Sequence, residues 1–283
     1  MENLTITPFQ PDKRRLTADL LFYSRYAQAH LDWYEVDAWL NSDDAIIRTA
    51  WDGSSLVGLI SASQPLNGAT WVRVVAVGQH YQPQQILPPL WDALAAALRN
   101  MGTEKVCWLL IENWPVDYLP RLGFSYYDEI ITLKRTGHTL PPYRSMAGLR
   151  VRSVEMKDLP ELTRVDHQAF APPWQMTSDD IRQGRQIAAC CYLAELNDAV
   201  VGYQLSTFHQ QSGHLARLAV LPEMQGRGVG AALLNNLITY FLRRRIDTVT
   251  VNTQLQNQRS QRLYARFGFN RSGYNLPVWL TNL

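Results

Sequence analysis

The sequence has little net charge, few cysteines and no long hydrophobic run. Its 27 Lys and Arg residues nearly balance 25 Asp and Glu residues, so we expect no sequence-independent binding to nucleic acid. No stretch approaches the ~18 consecutive apolar residues of a membrane span, so we expect no membrane partner. Residues 1–5 lack the basic and apolar regions of a secretory signal, which predicts a cytoplasmic protein.

The three cysteines, Cys107, Cys190 and Cys191, form neither a disulfide framework nor a Cys-x-x-Cys pattern. A metal site formed by His209 and His214 would lack further protein ligands nearby in the sequence, so we expect no bound metal. The composition, 46% hydrophobic and 18% charged, is typical of a globular protein. With 283 residues and about 150 residues per domain, the length favours two domains.

The chain contains an internal repeat. Four short segments recur in the same order, and 143 to 145 positions separate the members of each pair. The pairs are Leu4-Thr5-Ile6 with Leu149-Arg150-Val151, Val57-Gly58 with Val201-Gly202, Ala76-Val77 with Ala219-Val220, and Leu122-Gly123-Phe124 with Phe267-Gly268-Phe269. We therefore predict two tandem domains over residues 1–137 and 149–283, joined by a linker over 138–148.

The second copy has the clearer pattern of hydrophobic residues. Alternating segments over 190–196, 200–208 and 214–221 indicate an antiparallel meander. An apolar helical face from Val229 to Phe241 follows, and then a β-branched strand over 248–253 and another helical stretch. We predict an α/β or α+β fold for each copy, with a mixed, mostly antiparallel sheet flanked by helices.

A glycine-rich turn opens the long helix of the second copy. Glycines allow the backbone to approach a pyrophosphate, and main-chain N–H groups converge with the positive end of the helix dipole. The predicted anion-binding residues are Gln225, Gly226, Arg227, Gly228, Val229, Gly230 and Ala231. The turn also satisfies the dinucleotide fingerprint G-x-G-x-x-A, but too few residues follow it for the further βαβ units of that fold.

Two motifs of the second copy occur in a fixed order. Residues 225–230 read Q-G-R-G-V-G, and residues 257–264 read N-Q-R-S-Q-R-L-Y, with a Gly-Phe pair at 268–269. They match the Q/R-x-x-G-x-G/A and N-x-x-S/A-x-x-x-Y motifs of the GNAT acetyltransferases, which the second copy resembles over residues 148–280. The stretch Phe170-Ala171-Pro172-Pro173-Trp174 is similar to the branch that acetylates the amino terminus of ribosomal proteins.

The resemblance implies acetyl-CoA as the acyl donor, no metal, and direct attack of an amine on the thioester. It also implies that acetyl-CoA pairs with main-chain groups of Leu218, Ala219 and Val220. The resemblance further implies contacts between acetyl-CoA and the residues Asn257, Ser260 and Tyr264. It also gives Tyr264 the role of general acid, since a phenol remains protonated at neutral pH.

The general base is less directly indicated by the resemblance. A glutamate of the ribosomal-protein branch corresponds to Asn252, which cannot take a proton. The base position of the histone-acetylating branch corresponds to His214, whose imidazole titrates near neutrality. His214 is therefore the candidate base, and the alternative is a histidine that only adjoins a hairpin turn.

The first copy has lost the glycine turn. Gln82 still matches Gln225, but residues 83–87 read P-Q-Q-I-L, and Leu119 occupies the position of Tyr264. Bulky side chains there would keep phosphate away from the backbone, so we predict one acetyl-CoA per chain, bound by the second copy.

The leading hypothesis is an acetyl-CoA-dependent N-acetyltransferase that acts on a primary amine of a small molecule or peptide, as a monomer or homodimer. One alternative is a tandem acyltransferase of the mycothiol-synthase type. Another is a CoA-binding regulatory module without turnover. The tyrosine at position 264 argues against a regulatory module, because a sensor needs affinity but no proton donor.

Overall fold

Strands and helices follow one another in nearly the same order in the two copies. The computed structural model describes residues 4–31, 33–144 and 146–283. The first copy contains β1 (Leu4–Pro8), α1 (Arg14–Tyr23), β2 (Tyr26–Ala29), α2 (Val36–Leu40), β3 (Ala45–Asp52), β4 (Ser55–Ser63), β5 (Ala69–Val77), α3 (Pro83–Asn100), β6 (Lys105–Leu109) and β7 (Ser125–Thr136). The second contains β8 (Arg150–Ser153), α4 (Leu159–Ala169), α5 (Ser178–Ile187), β9 (Cys190–Leu196), β10 (Ala199–His209), β11 (Ser212–Val220), α6 (Val229–Arg243), β12 (Thr248–Gln254), α7 (Gln258–Arg266), β13 (Asn270–Arg271) and β14 (Leu276–Asn282).

The structure divides into two compact units. The first unit contains the described residues up to 128 together with residues 276–283, and the second contains residues 129–275. The strand order is β1-β3-β4-β5-β6-β14 in the first unit and β8-β9-β10-β11-β12-β7 in the second. Neighbouring strands are antiparallel except for the pairs β5/β6 and β11/β12, which are parallel. The predicted mixed, mostly antiparallel sheet is therefore confirmed.

The two copies have exchanged their last long strands. β14 pairs antiparallel with β6, with Thr281 opposite Val106, and β7 pairs antiparallel with β12, with Thr136 opposite Thr248. The two compact units therefore differ from the predicted ranges 1–137 and 149–283 at these strands, and the expected linker over 138–148 lies within the second unit.

Helices cover both faces of each sheet. In the first unit α3 packs on one face through Leu87, Leu90 and Leu94, and Leu20 of α1 and Trp39 of α2 pack on the other. In the second unit the predicted apolar face of α6 is buried in a core with strands β7, β11 and β12 and with α7. The opposite face of that sheet carries α4, whose Asp166 accepts a hydrogen bond from Tyr203 of β10. No helix in the described ranges is long and apolar enough to cross a membrane.

Candidate active site

The parallel strands β11 and β12 separate part-way along their length. Their register joins Gly213 to Val249, His214 to Thr250 and Leu215 to Val251. A β-bulge then interrupts the pairing of β11 with β10, and a bulge bends the strand that contains it. The remainder of β11, residues 216–220, lies outside the parallel register, so a cleft opens along its edge. Leu218, Ala219 and Val220, the predicted main-chain contacts, belong to this edge.

The glycine turn lies directly beyond the open edge of β11. Gly226 and Gly228 have φ angles of +78° and +93°, a region that side chains with a Cβ disfavour. A Cβ on Gly228 would lie 2.6 Å from the main-chain oxygen of Arg144, and one on Gly230 would lie 3.1 Å from Cδ2 of Leu263. Positions 226 and 228 therefore require glycine for their conformation, and position 228 also requires it for the close approach to Arg144.

The glycine turn also defines the start of α6. Gly228 is the N-terminal cap and provides no side-chain hydrogen bond to the helix. The first main-chain N–H groups of a helix have no carbonyl partner within it, and they carry the positive end of the helix dipole. The main-chain N–H groups of residues 229–231 therefore have no carbonyl partner within α6, and the exposed residue Arg227 precedes them.

Hydrogen bonds connect the glycine turn to the strand before it and to α7. The amide nitrogen Nε2 of Gln225 donates to the main-chain oxygen of Val220 at 3.0 Å. The guanidinium of Arg259, in the first turn of α7, donates to Oε1 of Gln225. The structure thus brings the open edge of β11, the glycine turn and α7 together.

Of the other predicted residues, Ser260 and Tyr264 lie on α7 and Asn257 directly precedes it. Asn257 caps this helix, because its Oδ1 accepts a hydrogen bond from the main-chain nitrogen of Ser260 at 3.1 Å. Tyr264 is only 4% exposed and packs against Phe269 at a centroid distance of 5.7 Å. Burial raises the pKa of Tyr264 above its usual range, and the positive charge of Arg217 acts in the opposite direction. Tyr264 is therefore protonated at neutral pH.

His214 lies in the paired part of β11, just before the strands separate. Its Nδ1 lies 2.9 Å from Oγ1 of Thr250. Burial lowers the pKa of His214 to about 4, and His209 adds to this effect. The imidazole is thus neutral at pH 7 and has a low proton affinity. The exposed Asn252, where one branch has glutamate, accepts a hydrogen bond from Thr132 through its Oδ1.

The structure also contains a buried ion pair beside the cleft that the sequence motifs did not predict. Arg217 of β11 donates from Nε and Nη2 to the two carboxylate oxygens of Asp166, both at 2.7 Å. The Asp166 side chain is fully buried, and the Arg217 side chain is 12% exposed. The available signal was an arginine within the apolar run 215–221 of a central strand, since such a charge is seldom buried without a partner.

The first unit has a corresponding cleft that is filled by its own chain. The parallel register of β5 and β6 ends at the pair Val72 and Trp108. Beyond it, β2 pairs antiparallel with residues 74–77 of β5. Gln28 of β2 spans the gap, because its Nε2 donates to the oxygen of Leu109 and its Oε1 accepts from the nitrogen of Glu112. A peptide strand therefore occupies the edge that remains open in the second unit.

The described ranges contain no group of three or more His, Cys, Asp or Glu side chains that could hold a metal ion. Cys107, Cys190 and Cys191 are free and buried. Burial raises the pKa of Cys107 to about 12 and that of Cys190 to about 11, so neither thiol is a ready nucleophile.

Similarity to known proteins identifies the family of this chain. Residues 158–269 match the family described as the acetyltransferase (GNAT) family. An uncharacterized N-acetyltransferase of Methanocaldococcus jannaschii is 31% identical over 120 residues, which cover 42% of this chain and 76% of that protein. The chain belongs to the GNAT family. The ribosomal protein bS18-alanine N-acetyltransferase of Escherichia coli K12, another family relative, is 26% identical over 122 residues, covering 43% of this chain and 81% of that protein.

The solved structures extend the likeness to the whole chain. A tandem GNAT protein from the clavulanic acid biosynthesis pathway has a TM-score of 0.63 at 14% identity, covering 99% of this chain and 98% of that one. At this identity the likeness concerns the fold alone. The predicted architecture of two tandem GNAT-like copies is confirmed, and the first copy shares the fold although it has lost the glycine turn.

Proposed function

We propose that the second unit binds acetyl-CoA between β11 and β12 and transfers its acetyl group to a primary amine of a small molecule or peptide. The observation that carries the proposal is the convergence of the open edge at 218–220 with the glycine turn and the first N–H groups of α6. An extended chain with amide groups can pair with such an edge, and a pyrophosphate needs the N–H groups and space that the turn offers.

The residues present fit the parts of this ligand. Main-chain N–H groups of residues 229–231 would hold the pyrophosphate, and Arg227 would add a charge-assisted contact. A side chain at Gly230 would narrow the space between the start of α6 and Leu263. Asn257 and Ser260 would bound the cleft on the side of α7.

The first unit offers an internal comparison for the proposed binding mode. There β2 pairs with residues 74–77 of β5, which correspond to residues 217–220 of β11 at the repeat distance. The same kind of edge thus accepts an extended chain with amide groups, which supports the contacts on 218–220. Since β2 occupies the edge in the first unit, we expect one acetyl-CoA per chain.

Bound acetyl-CoA would supply the thioester from which the acetyl group is transferred. Tyr264 carries a proton on its hydroxyl at neutral pH and is the proposed donor to the departing sulfur. His214 is the proposed acceptor of the amine proton: with Nδ1 donating to Thr250, the lone pair of Nε2 is available. Because the pKa of His214 is about 4, this base is weak, and positioning of the amine contributes most of the rate.

Calorimetric titration with acetyl-CoA tests the proposed site. We expect one binding site per chain, and Gly230→Val should raise the dissociation constant at least about tenfold, or about 1.4 kcal/mol. Gly230→Ala is the matched control, because its Cβ would lie 3.1 Å from the end of the flexible Leu263 side chain and at an ordinary contact distance of 3.8 Å from Val220. Two equivalent sites, or unchanged affinity in a folded Gly230→Val variant, would overturn the assignment.

Thiol release from acetyl-CoA in the presence of an amine panel tests the reaction. The panel should contain small amines and peptides with a free amino terminus, including an alanyl peptide because the Escherichia coli relative is named for an alanine of a ribosomal protein. Mass spectrometry of the acceptor should show a gain of one acetyl group. Binding of acetyl-CoA without acetylation of any amine would favour the regulatory alternative.

A further inference from the structure

We infer that the buried pair of Asp166 and Arg217 positions the segment 170–176 as a wall of the acceptor side of the cleft. Both are positioning residues for the proposed acetyl transfer, on which this inference rests. The pair joins the open part of β11 to α4, and the segment 170–176 connects α4 to α5.

Asp166 is the centre of a closely connected polar group. Besides the two bonds from Arg217, its Oδ2 accepts from the hydroxyl of Tyr203 at 2.7 Å and its Oδ1 accepts from the main-chain nitrogen of Met176 at 2.9 Å. A carboxylate with four donors is fully compensated for its burial. One of those donors belongs to the segment itself, so the carboxylate fixes the segment's far end.

Arg217 holds the same segment at two further points. Its Nη2 donates to the main-chain oxygen of Trp174 at 2.7 Å, and its guanidinium carbon lies 3.6 Å from the centroid of the Phe170 ring. Gln175 turns back to the start of the segment and donates to the oxygens of His167 and Phe170. Arg217 thus holds the segment to β11. A replacement would need a planar group that donates several hydrogen bonds, which lysine lacks.

The orientation of Arg217 decides which side of the cleft the segment faces. Leu215 belongs to the core under α6 and α7, and Leu218 packs against that core. Arg217 points to the opposite face, where α4 lies, and we place the approach of the amine on that face. Its charge also acts on Tyr264, which places the pair within electrostatic reach of the proposed acid.

Arg217→Lys tests the inference, because it keeps the charge and loses the planar fork. We expect amide exchange of Met176 and its neighbours to become about tenfold faster, which reports local opening. With an alanyl peptide or tyramine as acceptor, whichever releases thiol faster, KM for the amine should rise about tenfold. The dissociation constant for acetyl-CoA should stay within about twofold.

Arg152→Lys is the matched control. Arg152 also forms ion pairs with buried carboxylates, those of Asp158 and Glu195, but its contacts lie outside the segment 170–176. We expect its substitution to leave both the exchange of the segment and the KM for the amine unchanged. Equal effects in the two variants would overturn the inference, because they would reflect general destabilisation.

Phe170→Leu keeps the ion pair intact and provides a second variant if Arg217→Lys does not fold. We expect faster exchange in the segment and a higher KM for the amine here too, and normal values of both would overturn the inference. The two proposals also fail in different ways. Wild-type protein that binds acetyl-CoA but acetylates no amine contradicts the proposed function, whereas normal exchange in the variants contradicts the positioning role.

Discussion

Replacing Tyr264 by phenylalanine separates catalysis from stability. The ring is buried against Phe269, and phenylalanine preserves that packing. Burial and the charge of Arg217 account for the shifted pKa of Tyr264, and no hydrogen bond within the described part of the chain contributes to it. Since a hydrogen bond is worth about 0.5–1.5 kcal/mol and none is lost, we expect the free energy of unfolding to change by less than about 0.5 kcal/mol.

The expected effect on turnover is much larger. A positioned general acid contributes about 10²–10⁴-fold, so we expect kcat to fall at least about 100-fold, equivalent to about 2.7 kcal/mol of transition-state stabilisation. Thiol release at saturating acetyl-CoA measures kcat, and calorimetry should show an acetyl-CoA dissociation constant within about twofold of the wild type. Urea denaturation measures the stability of the same preparation.

Tyr240→Phe provides the opposite pattern. Its hydroxyl donates to the main-chain oxygen of Ala189, so its loss should cost about 1 kcal/mol of stability. Tyr240 lies on α6 beyond the glycine turn, and we expect kcat to be unaffected.

If Tyr264→Phe retains turnover, the proton donor lies elsewhere. If it loses stability and turnover together, Tyr264 serves the core rather than the reaction.

Two further predictions concern pH and the exchanged strands. His214 has a pKa of about 4 in the folded protein and about 6.5 when unfolded. As the pH is lowered, His214 therefore takes up a proton in the unfolded chain before it does so in the folded protein. The free energy of unfolding should decrease from pH 6.5 towards pH 4, and urea denaturation of His214→Gln should show a smaller decrease. If His214 is the base, the acidic limb of kcat/KM lies near pH 4 and is absent from His214→Ala; a limb that persists in the variant places the base elsewhere. A fragment of residues 129–275 retains β7 beside β12 and should unfold cooperatively in urea, whereas residues 149–283 lack that strand and should be less stable. Equal stability of the two fragments would show that β14 can replace β7.

The sequence alone determined the features that depend on local order along the chain. The spacing of Gly226, Gly228 and Gly230 before an amphipathic helix is a local pattern, and so is the cap formed by Asn257 seven positions before Tyr264. Repetition at a nearly constant distance revealed the duplication. These patterns predicted the fold and the family, because a turn, a cap and a helical face each involve residues close in sequence.

The tertiary structure decided what depends on pairing between distant segments. Nothing local distinguishes β7 paired with β12 from β7 paired with β6, because either strand edge offers main-chain hydrogen-bond partners. The insertion of β2 beside β5 and the contact of Asp166 with Arg217 are likewise long-range. A strand edge or a buried charge must find a partner, but the sequence does not say which of several partners the folded chain brings within reach.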